Sequence, residues 1–96
     1  MKTKRKEYEE KLDAQYEKWN VQIAMFRAKA EKANAGAKIE YFKTIDALQK
    51  KQSGAAAKLN ELKTSGNEAW EDLKTGAENA WGEVKSAFQS ATEKFK

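Results

Sequence analysis

The side chains closest to chemistry in this sequence are carboxylates set three or four residues apart: Glu7 with Glu10, Glu10 with Asp13, Asp13 with Glu17, and the group Glu68, Glu71 and Asp72. On a helix such pairs share a face. Two carboxylates can divide acid and base roles only when burial or a like charge lifts the pKa of one of them. These pairs fall mainly on the polar faces beside Lys11, Lys18 and Lys74, the pattern of a solvated helix surface. The chain has no histidine and no cysteine. That removes the usual general base, the triads built on it, disulfides, thiolate metal sites and the Glu-x-x-His pairs of di-metal bundles. The stretch GAAAK, residues 54–58, lacks the second glycine and the hydroxyl residue of a phosphate loop. No catalytic, cofactor-binding or metal-binding residue is therefore assigned. An enzyme is not expected, nor a small-molecule substrate.

What remains is non-covalent surface. The chain has 96 residues, 35% charged and 40% hydrophobic, with no proline and five glycines, a composition of long helices in one small domain. Residues 1–51 carry 13 basic and 8 acidic side chains (+5), and residues 52–96 carry 6 and 7 (−1). Lys2, Lys4, Arg5 and Lys6 crowd the start, and Lys18 and Lys29 flank apolar positions further on. Together these six form the expected contact with an anionic surface. Nucleic acid is argued against, because the aromatics fall in apolar columns instead of interleaving with a basic face. No apolar run is longer than the four residues 23–26, so neither a signal-peptide core nor a membrane span is expected. The expected location is cytoplasmic, with the inner face of a membrane as a peripheral option.

The elements that position these residues follow from periodicity. Residues 63–95 divide into KTSGNEAWEDL, KTGAENAWGEV and KSAFQSATEKF, and the eleven-residue frame extends back to Tyr8 without an insertion. Eleven residues are three turns at about 3.67 residues per turn, so columns spaced by eleven face one way. One column holds Gln15, Phe26, Ala37, Leu48, Leu59, Trp70, Trp81 and Thr92. Tyr8, Trp19 and Tyr41 lie to one side of it before residue 52, and Leu62, Leu73, Val84 and Phe95 to the other side after residue 55. The two stripes are centred about 80° apart. The swing predicts a break near residues 53–54, where Ser53 and Gly54 follow Lys50 and Lys51. The expectation is an all-α, single-domain antiparallel hairpin (residues 1–96) with a coiled-coil-like hendecad repeat. Helix one covers about 4–51 and helix two about 55–94, each roughly 60 to 70 Å long.

Folding back at 53–54 would set residue i near residue 107 minus i. Ala37 then faces Trp70, Ala30 and Phe26 face Trp81, and Leu12 faces Phe95, so that large meets small as interdigitated cores require. Ser65 with Glu68 also fits a capping box that would open a further helix at Gly66, but Thr75 with Glu78 repeats the pattern inside the repeat. A hairpin covers each helix along one seam only. Much of Trp70 and Trp81 would then stay wet, so the stripe Trp19, Phe26, Trp70, Leu73, Trp81, Val84, Phe88 and Phe95 is expected to face a partner or lipid. The leading expectation is a structural or interaction protein that self-associates through this stripe into a homo-oligomeric bundle or polymer. The alternative is a peripheral amphipathic protein on an anionic membrane surface.

The stretches EAWEDLKTGAENAWGEVKSAFQSATEKFK and MKTKRKEYEEKLDAQYEKW resemble small, largely uncharacterised bacterial proteins described as coiled-coil proteins. No catalytic motif comes with that resemblance. More loosely, the Lys/Glu/Ala-rich eleven-residue repeats look like those of late-embryogenesis-abundant proteins and exchangeable apolipoproteins, which implies stress protection or reversible lipid binding. The large aromatics depart from the first of these patterns and favour an ordered core.

Overall fold

The computed structural model describes residues 4–95, and they form three helices: α1 (Lys4–Lys32), α2 (Ala35–Thr64) and α3 (Asn67–Lys94). The all-helical expectation holds. The two-helix hairpin does not: the chain reverses at residues 33–34 and 65–66, and Ser53 and Gly54 lie inside α2. The helices have 29, 30 and 28 residues. At 1.5 Å per residue each is about 43 Å long, and the three lie flush in a bundle measuring 51 × 23 × 19 Å.

The local chemistry places both reversals. Asn34 takes an extended conformation and its side-chain oxygen accepts from the Ala37 N–H at 2.9 Å, satisfying a first-turn donor of α2. The stretch 33–37 (ANAGA) offers no large side chain to the core, so a break there interrupts no packing. At the second reversal the Ser65 hydroxyl donates back to the Leu62 carbonyl at 2.8 Å, closing α2 instead of opening α3 as a capping box would. Gly66 is the N-cap of α3 with no side-chain hydrogen bond. A break at 53–54 would by contrast have split the buried Gln52 from the buried Ala55.

The buried positions also correct the repeat. In α2 they are Ile45, Leu48, Gln52, Ala55, Leu59 and Leu62, alternating steps of three and four. That is a seven-residue ladder of the kind seen in left-handed bundles. α3 shows it in Ala77, Trp81, Val84, Phe88 and Ala91, and α1 in Trp19, Ile23, Phe26 and Ala30. Against an eleven-residue frame such a ladder slips by about 33° per heptad. Between Ile45–Leu48 and Leu59–Leu62 the slip reaches about 65°, most of the sideways swing that suggested a break.

Candidate interaction surface

The aromatic stripe is the core of a single chain. Trp19, Phe26, Trp70, Trp81, Val84 and Phe88 are buried, and Leu73 and Phe95 are half-buried against them. α1 and α3 run parallel, so aromatics of the same order along each helix meet. Tyr8 stands edge-on to Trp70 with centroids 5.7 Å apart, and Trp19 lies between Trp81 at 5.3 Å and Phe88 at 5.7 Å. Phe26 meets Phe95 at 6.2 Å, and Tyr41 of α2 stacks on Phe95 at 4.0 Å. These pairs replace those expected of a hairpin, in which Trp70 faced Ala37, Trp81 faced Ala30 and Phe26, and Phe95 faced Leu12. Trp19 is 2% exposed. A third helix covers the side of the stripe that two helices would have left open.

Of the six basic residues expected at an anionic surface, Lys2 lies outside the described residues, Lys4 and Lys6 are exposed, and Arg5 is engaged inside the bundle. The Arg5 guanidinium donates to the carbonyls of Leu62 (3.0 Å), Lys63 (3.3 Å) and Ser65 (2.8 Å), to Asn67 Oδ1 (3.0 Å) and to Glu9 (3.0 Å). It also lies 5.7 Å from the Trp70 ring. One side chain of α1 thus caps the negative end of α2 and holds the start of α3. Glu9 completes the junction by accepting from Trp70 Nε1 at 3.2 Å. Nothing in the sequence spacing singles Arg5 out from Lys4 and Lys6, because its partners are contributed by two other helices.

Beside this junction burial, followed by the charge and side-chain interaction of nearby Glu78, pushes the Tyr8 phenol up to about 12. Cross-helix ties elsewhere are polar and local: Gln52 Nε2 to Asn20 Oδ1 at 2.6 Å, Lys63 to Asp13 at 2.9 Å and Lys94 to Glu40 at 2.9 Å. The bond and charge of Lys94 hold the exposed Glu40 carboxyl below its usual range.

Lys18 and Lys29 lie on the outer side of α1, opposite buried Trp19, Ile23, Phe26 and Ala30. Val21 and Met25 stand between them at 61% and 55% exposure. Met25 falls within the apolar run 23–26 and Val21 lies two residues before it, and the periodicity assigns neither a role. Ile39 and Phe42, early in α2, are the other large apolar side chains left exposed among the described residues. No described helix is long and apolar enough to cross a membrane, and no metal-binding cluster occurs among the described residues.

Comparison with protein-family models, curated proteins and solved structures gives no match. The resemblances noted above therefore rest on the quoted residues alone.

Proposed function

We propose that this protein is a non-enzymatic interaction module: a three-helix bundle complete within one chain, which meets its partner through the exterior of α1. The observation that carries this reading is the contrast between the two sides of α1. The inner side spends its aromatics on α3, while the outer side keeps Val21 and Met25 exposed among lysines. Large apolar side chains held in water on an ordered helix are expected where a surface is used. Self-association through the aromatic stripe, the leading expectation from sequence, now requires that the bundle open and exchange a helix between copies.

Photo-crosslinking in cells tests the reading. A benzoylphenylalanine at position 21 or 25 is expected to give adducts, to protein or to lipid, that the same group at 53 or 57, exposed positions on α2, does not give. Equal adducts at all four positions, or none at 21 and 25, would overturn it.

A further inference from the structure

The outer side of α1 shows what it is built to meet. Lys11, Lys18, Val21, Met25, Lys29 and Lys32 recur at three-, four- and seven-residue steps and all are exposed, so they share one sector of the helix. From Lys11 to Lys32 that sector runs about 32 Å. It contains no carboxylate. The acids of this stretch, Asp13, Glu17 and Glu31, fall on the flank towards α2, where Asp13 is tied to Lys63. None of the four lysines shares an ion pair with another described residue. The sector is also convex. Grooves along α1 lie on its flanks, with α3 at Tyr8 and at Gln15 and Gln22, and with α2 at Asp13 and Tyr16.

Resting on the reading of α1 as the working surface, we infer that its partner is the anionic surface of a lipid bilayer, on which α1 lies flat with the bundle intact. Charge complementarity selects an anionic partner, since four unpaired cations face outward with no acid among them. The ridge is one around which a deformable headgroup layer can close. Val21 and Met25 reach into the headgroup boundary while the long lysine stems let each amine stay at the phosphates. This surface is the reverse of the aromatic stripe and leaves the tryptophans in the core, so native tryptophan emission is not its reporter.

The absence of native cysteine allows a single environment-sensitive dye at Met25→Cys or, as control, Ala57→Cys. With vesicles of phosphatidylcholine containing phosphatidylglycerol, the dye at 25 is expected to brighten and shift to the blue, and the dye at 57 to stay unchanged. Pure phosphatidylcholine or 0.5 M salt should abolish the signal. Lys18→Gln and Lys29→Gln should each weaken partitioning about fivefold, and Val21→Ser with Met25→Ser should remove it without altering far-UV circular dichroism. Shifts at both 25 and 57 would mean that the bundle opens on the membrane, which overturns the inference. No vesicle binding, alongside position-specific protein adducts at 21 and 25 in the crosslinking experiment, would sink the lipid assignment and leave the interaction-module reading standing. Failure of both experiments would remove both.

Discussion

Trp70 and Trp81 occupy equivalent places in successive repeats, are 7% and 8% exposed, and differ in one N–H. Trp70 Nε1 donates to Glu9, whereas Trp81 Nε1 is buried without a hydrogen-bond partner among the described residues. An unmet buried donor costs about 1 to 3 kcal/mol, and a bond to a charged acceptor contributes a similar amount. Replacement by phenylalanine removes similar volume at both sites, so the difference between the two variants isolates the N–H. Trp70→Phe is expected to lose at least about 2 kcal/mol more stability than Trp81→Phe in urea unfolding, because one variant loses a bond and the other sheds an unmet donor. Equal losses would mean that the Glu9 bond contributes nothing.

Tyr8 makes a second residue-scale prediction. Its pKa rises from 10.0 to about 12 in the fold, so folding favours the neutral phenol. The stability this supplies is fully present below pH 10 and disappears as pH climbs from 10 to about 12. The quantity to measure is the stability difference between wild type and Tyr8→Phe, which isolates the phenol. That difference should shrink across the interval. A constant difference would show that burial beside Glu78 does not discriminate between the two forms of the phenol.

Among the helices, what distinguishes the three-helix bundle from a hairpin is where each helix ends. Gly54 is a helix-interior glycine with open space where a Cβ would stand, and Gly54→Ala should stabilise the protein by about 1 kcal/mol. If the chain instead reversed at 53–54, the same change would not help. Asn34→Ala removes the cap on the Ala37 N–H and should cost about 1 kcal/mol. Thermal unfolding of the two variants moves in opposite directions in a three-helix bundle. The reversal at 33–34 was partly legible, since asparagine before a small-residue stretch is a good cap, but the same alanines also read as the small half of a hairpin seam. Ser65–Gly66 was visible as a break and obscured by its likeness to Thr75–Gly76 one repeat later.

For the whole molecule, the three-helix arrangement matters because it closes the core within one chain. Arg5 is the side chain that touches all three helices at one end, so Arg5→Ala should lower stability by about 1 to 3 kcal/mol and loosen the 65–66 reversal first. Hydrogen exchange reads this as faster exchange at residues 66–70 than at 34–38. Uniform acceleration would mean that Arg5 contributes only net charge.

Helix content, the identity of the buried aromatics and the absence of histidine and cysteine chemistry were all legible without a structure, because they depend on residue type and on spacing within one or two turns. Trp19, Phe26, Trp70, Trp81, Val84 and Phe88 were picked as apolar-face residues and are buried together. What covers them was not legible. Periods of seven and eleven differ by about 33° per heptad, too little for one short ladder to separate but enough to move a reversal by about 20 residues. Only the packing of α1 beside α3 decided that Trp19 meets Trp81, that Arg5 is a clamp and not a free cation, and that the side of α1 facing water is the one bearing Lys18, Val21, Met25 and Lys29. Those are contacts between residues some 60 positions apart, and local periodicity carries no information about which helix closes over which.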